Sequence, residues 1–262
     1  MDEGIADYLE IMQLAGVSEV KRTRPRAADA SPPVNNHLAG IPVLEDPHPN
    51  PLPAGEGIRL ADTPVTPLQL PSGSKAEQLR YLAGEVAKCT RCKDLAEFRT
   101  QTVFGVGNPD SPLVFLGEAP GSDEDKRGEP FVGRAGQLLT DIIVKGMKLH
   151  REDVYICKIL RCRPPGNRNP MPDEAAHCRP FLDLTLEIIK PKFICCLGAV
   201  AAKNLLASEK TIGSLRGKVL EYRGIKVICT YHPAYLLRNP SAKKDTWEDI
   251  QLLLREMESH KQ

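Results

Sequence analysis

From about Ser74 onward the apolar positions alternate between two rhythms: a helical spacing of three and four, and short unbroken runs. SKAEQLRYLAGEVAKC sets Leu79, Leu82 and Val86 on one stripe behind Ser74, a residue type that caps helix starts. SPLVFLGEAPG reads as a buried strand over 113–116 that enters a Gly/Pro loop. VGRAGQLLTDIIVKGM reads as a helix with a Leu138, Ile142 and Ile143 face, and DVYICKIL as a second strand. PDEAAHCRPFLDLTLEII is a helix whose acidic first turn suits its dipole. KFICCLG is a third strand followed by the helix AVAAKNLLA, IKVICTYHP is a fourth strand, and 241–258 is a closing helix. Strands that alternate with helices and lack polar alternation predict an α/β fold, with a four-stranded, mainly parallel sheet covered on both faces. In such sheets ligands sit outside the carboxyl ends of the strands. That places Glu118 in GEAPG, Lys158 at the end of the second strand and His232 in TYHP around one crevice.

Upstream the rhythm is lost. Residues 2–15 are long enough for a short helix, but 21–73 reads as linker. Residues 1–75 hold 11 of the 23 prolines and no cysteine, and proline at that density blocks helices and sheet interiors. The division is therefore a proline-rich, disordered extension over 1–75 and a folded domain over 76–262. The extension serves as a tether or as a tail for a protein partner. It carries net charge −4 and the folded part +5, within a total of +1. That balance excludes a histone-like binder and leaves room for a local basic groove. No apolar run is long enough for a membrane span, and the first 20 residues lack a signal-peptide core, so a cytoplasmic protein is expected.

In that setting the eight cysteines are thiols or metal ligands before they are disulfides. Cys157, Cys195, Cys196 and Cys229 lie in apolar strands and read as small buried hydrophobes. Cys89, Cys92, Cys162 and Cys178 lie in polar or proline-rich surroundings. Four thiolates suit a tetrahedral zinc or a [4Fe–4S] cube. The second pair is split by 15 residues, unlike the repeated CxxC of a zinc ribbon, which favours the cube. Arg161, Arg163 and Arg168 sit in a proline-stiffened loop that can meet phosphates or simply face solvent. Tyr235, Leu236 and Arg238 put apolar bulk beside charge, as a wedge between bases does or as the start of an ordinary packed helix.

KCTRCKDL, GEAPGSDEDKRGEPFVGRAGQLL, the CRPPGNRNP loop and TYHPAYLLR resemble, in order and spacing, the family 4 uracil-DNA glycosylases, the iron–sulfur branch of their superfamily. The resemblance covers about 85–258 and leaves out the proline-rich front. It implies a three-layer α/β/α sandwich and a [4Fe–4S] cluster on Cys89, Cys92, Cys162 and Cys178. It also implies hydrolysis of the N-glycosidic bond of deoxyuridine in DNA, the opening step of base excision repair, by a monomer associated with the nucleoid. The implied catalytic residues are Glu118, Glu124 and His232, with His232 donating to uracil O2. Phe131 is the implied stacking platform, and the Gly117, Ala119, Pro120 and Gly121 backbone lies at the base edge. Arg163, Arg168, Tyr235, Leu236 and Arg238 are the expected DNA contacts. Ala119 stands where the best-known branch of the superfamily has aspartate, so cleavage cannot rely on that carboxylate.

One departure is Lys158, where family 4 members usually carry an asparagine that reads the uracil edge. A charged lysine donates but cannot accept. It either turns outward, or enters the pocket and changes base preference or weakens activity. A third reading makes it an amine, with a pKa depressed by burial, that attacks C1′ and adds lyase character. Beside uracil excision stand two alternatives: a preference for another deaminated base such as hypoxanthine or xanthine, and a non-catalytic iron–sulfur DNA-binding protein.

Overall fold

The computed structural model describes residues 68–260. The expectations placed on 1–67 lie outside the described residues. Helix α1 (Lys75–Ala87) starts as its pattern requires: Ser74 Oγ accepts from the Glu77 N–H, and the Glu77 carboxylate accepts from the Ser74 N–H. A short α2 (Lys93–Phe98) follows the CxxC turn, with Cys92 at its cap position.

The sheet is wider than expected. β1 (Gly105–Gly107), β2 (Leu113–Gly117), β3 (Tyr155–Lys158), β4 (Phe193–Leu197), β5 (Val219–Tyr222) and β6 (Ile225–Thr230) pair in the order β1-β3-β2-β4-β6-β5. The inner β3-β2-β4-β6 are the four expected parallel strands. β1 and β5 are antiparallel edges. Both escape a search for apolar runs, because β1 is two-thirds glycine and β5 alternates exposed and half-buried positions.

The chain between strands supplies the outer layers: α3 (Ser122–Arg127), α4 (Arg134–Asp141), α5 (Pro172–Ile189), α6 (Ala199–Leu206), α7 (Ile212–Leu215), α8 (Pro233–Arg238) and α9 (Lys243–Ser259). Leu113, Phe115, Ile156, Phe193, Cys195, Leu197 and Ile228 form one buried cluster with Leu139, Ile143, Ile250 and Leu253. The alternate strand residues Val114, Leu116, Cys157, Ile194, Cys196, Val227 and Cys229 are also fully buried, so both sheet faces are covered. The four strand cysteines are thus small core residues, as expected; burial pushes the Cys157 and Cys195 thiols up, and a contact with Cys229 together with burial raises Cys196. Of the expected α4 face Ile143 is fully buried and Leu138 and Ile142 are half-buried; Leu139 and Met147 complete the buried side through a π-helical turn over Ile142–Gly146. Among the described residues no helix is long and apolar enough to cross a membrane.

Candidate active site

The exits of β2, β3 and β6 converge as topology demands. A cavity of about 550 Å³ opens there, lined among others by Glu118, Ala119, Phe131, Lys158, His232 and Arg238. Phe131 is held in an uncommon backbone conformation, φ 57°. Its N–H donates to Glu124 and its carbonyl accepts from Arg151, so both sides of the strained residue are anchored. Two glycines make room for it. A Cβ at Gly136 would stand 1.8 Å from the Phe131 carbonyl oxygen, and a Cβ at Gly117 would stand 2.7 Å from the ring.

His232 precedes α8, and its Nδ1 accepts from the Ala234 N–H at 3.1 Å. The proton of the neutral ring is therefore on Nε2, which is free to donate into the cavity. Burial, reinforced by the positive charges of Lys158 and Arg238, holds its pKa down to about 3. The ring lies 5.6 Å from that of Phe131, centroid to centroid.

The two carboxylates of the first loop differ sharply. Glu124 accepts from Gly121 N–H, Phe131 N–H and Lys158 Nζ. Its oxygens are fully used, and it braces the loop, the platform and the lysine together. Glu118 is half-buried and makes no side-chain hydrogen bond or ion pair among the described residues. Burial raises its pKa, partly offset by Lys158. The partner of Glu124 is Lys158, at 2.9 Å.

Lys158 points inward, against the outward-turned reading. Its ammonium donates to Ala119 O at 2.9 Å and to Glu124, and lies 4.1 Å from the centre of the Phe131 ring. Burial holds its pKa below the ordinary lysine value, and Glu124 opposes that fall only in part. The contacts to Ala119 O and Glu124 hold the nitrogen at the first loop.

Cys89, Cys92, Cys162 and Cys178 gather beside the first loop. Cys162 forms a buried cluster with Leu95 and Leu160, and Cys92, Cys178 and Ala119 pack against it. Arg99 donates to Cys162 Sγ at 2.9 Å and Arg91 to Cys89 Sγ at 3.4 Å, and Cys92 Sγ lies 3.6 Å from His177 Nδ1. Burial and the neighbouring thiols push Cys92 up to about 12. Burial pushes Cys178 up to about 11, and the positive Arg161 and its backbone N–H oppose that rise. No three described ligating side chains converge on a single-ion position.

The sequence profile of the Uracil DNA glycosylase superfamily matches residues 104–251. The chain belongs to this superfamily. It is 46% identical over 182 residues to the type-4 uracil-DNA glycosylase of Thermotoga maritima, covering 68% of this chain and 94% of that protein. It is 45% identical to the type-4 uracil-DNA glycosylase of Archaeoglobus fulgidus, covering 66% and 90%. The type-5 uracil-DNA glycosylase of Pyrobaculum aerophilum is more distant, at 26% identity over 201 residues, 65% of this chain and 88% of that protein. These identities place the chain in the type-4 branch of the uracil-DNA glycosylases.

Some positions singled out from this glycosylase sequence sit otherwise than expected. Gly121 N–H is bound to Glu124 and is not available to a base edge. Glu124, expected among the catalytic groups, has its acceptors filled from within the protein. Leu236, expected to touch DNA, is 1% exposed because it faces the core from α8; Leu237 carries the exposed apolar surface beside Tyr235. Arg161 turns inward to Lys158 O and Thr185 Oγ1 instead of facing solvent. Arg168 is half-buried against Glu174, Arg163 binds Asn167 Oδ1, and Arg238 is exposed at the cavity rim. Arg151, which anchors Phe131 and Thr140, was not anticipated; a lone arginine after a loop histidine gives no sequence signal.

Proposed function

We infer that this chain hydrolyses the N-glycosidic bond of uracil in DNA, leaving an abasic site. The observation that carries this is one cavity lined by both a neutral His232, whose Nδ1 is engaged so that Nε2 carries the proton, and an unengaged Glu118. The target nucleotide leaves the stack and enters the cavity. As the C1′–N1 bond breaks, its electron pair goes to the base. Nε2–H of His232 stabilises the negative charge that grows on O2. Glu118 offsets the cationic sugar and orients the water whose oxygen bonds to C1′. The proton from that water balances the departing uracilate. Arg163, Arg168, Tyr235, Leu237 and Arg238 face the DNA around the cavity mouth.

Cys89, Cys92, Cys162 and Cys178 suit a [4Fe–4S] cluster. Their sulfurs are grouped, with Cys162 buried and the other three half-buried, nitrogen groups face three of them, and a cube spreads its ligands farther apart than one tetrahedral zinc. The cluster supplies a structural clip between α1, α2, the β3 exit and α5.

The iron-replete full chain should release uracil from labelled oligonucleotides, opposite G, opposite A and single-stranded, with hypoxanthine and xanthine run in parallel. Intact uracil with release of another base would overturn the reading. Strand cleavage should appear only after alkali, and borohydride should trap no enzyme–DNA adduct, because Glu124 holds the Lys158 ammonium. A trapped adduct would restore the lyase reading. Gly117→Ala should cut excision by roughly tenfold or more by tilting the Phe131 ring, since a misplacement of about 1 Å can cost two orders of magnitude. A variant with wild-type turnover would show that the ring position is not limiting.

A further inference from the structure

The Phe131 ring is expected to stack on the base, yet the residue is only 3% exposed. A platform must present a face, so something stands on it. The group over the ring is the Lys158 ammonium, 4.1 Å from the ring centre. Its carrier is only 2% exposed, yet both residues line the cavity. The ammonium is pinned there from two further sides, by Ala119 O and by the Glu124 carboxylate. Gly117 lies against the ring edge, and the His232 ring is 5.6 Å away, centroid to centroid.

We propose that Lys158 is the closed gate of the base slot: in the free protein its ammonium occupies the stacking position, and a base enters by displacing it. This rests on the uracil reading above and adds to it a residue that governs access to the base slot. Two features of the contact set follow from such a role. The cation–π contact and the ion pair hold the closed state without a covalent or bulky lid. Only an entering group that stacks on Phe131 replaces what the ring loses. Binding is weakened by the fraction of molecules in which the slot is open, and removing the gate removes that penalty.

The test uses free uracil as the probe and the full chain throughout. Truncation in Lys158→Ala should tighten uracil binding by roughly thirtyfold in calorimetry, the size of a desolvated cation–π contact. The same variant should show stronger product inhibition by uracil. Binding equal to or weaker than wild type would overturn the gate. An independent readout needs no variant. In wild-type protein with 13Cε-labelled lysine, the Lys158 signal should be shifted upfield by the Phe131 ring and move downfield on saturation with uracil. A Lys158 signal that uracil leaves in place would also overturn it. Release of uracil from DNA by the wild-type protein is scored separately. Its failure would remove the substrate assignment, whereas failure of the binding and resonance tests with excision intact would remove the gate alone.

Discussion

Replacing His232 with alanine should lower single-turnover excision by roughly 10²- to 10³-fold while leaving DNA affinity close to wild type, the size seen when one preorganised donor to a developing oxyanion is lost. The geometry behind this is local. Ala234 N–H fixes the tautomer from the Nδ1 side, and Gly198, whose added Cβ would lie 2.9 Å from His232 Cβ, lets the ring sit close over the β4 exit. The donor acts on charge that exists only as the glycosidic bond breaks, so its loss should appear in the chemical step. His232→Gln keeps an N–H donor and should recover part of the rate. Equal losses in rate and in DNA binding would instead make His232 a contact residue.

The same residue sets a pH expectation. With a folded pKa of about 3 the imidazole stays neutral between pH 5 and 8, so excision should show no histidine inflection near 6.5. Below 6.5 the unfolded chain takes up a proton that folded His232 does not until about 3. This group therefore contributes a loss of stability as pH falls through that window. An acid limb of the rate profile belongs to Glu118, whose carboxyl is raised above its ordinary range. Glu118→Gln should remove the limb along with most of the rate.

Much of this site was legible because chain topology and motif pointed to the same place. A parallel sheet sends its strand exits to one edge: Lys158 ends its strand, Glu118 follows the last residue of its own, and His232 lies two residues beyond the end of its strand. The partition of the cysteines was legible for a similar reason, since a thiol inside FICCL has no polar neighbour to share. Side-chain choice between chemically equal candidates was not legible. Glu118 and Glu124 look alike in GEAPGSDED, and only the fold gives Glu124 three donors. Leu236 and Leu237 look alike in PAYLLR, and only the pitch of α8 decides which one faces the core. Lys158 was open because inward and outward rotamers differ by what waits at the end of a long side chain. Here a carboxylate, a carbonyl and an aromatic face wait together. The edge strands were missed because their apolar content is too small to mark them.

Cys162→Ser should lose most bound iron and acid-labile sulfide, and with them thermal stability. The cysteines tie together the end of α1, the start of α2, the loop after β3 and the first half of α5. A group bound only by the folded chain contributes its binding free energy to folding. A melting temperature lower by on the order of 10 °C is expected, since each kcal/mol moves a domain of this size by about 2–4 °C. Cys196→Ala is the control: it vacates a fully buried strand position and should cost stability while keeping the iron. Activity should fall too, although no sulfur is in the cavity, because Ala119 packs on the cysteine cluster with its side chain and accepts from Lys158 with its carbonyl. Loosening that residue shifts the first loop under Glu118. Full iron and sulfide in Cys162→Ser would remove Cys162 from the ligand set, and zinc without sulfide in the wild-type protein would keep the four ligands but replace the cube.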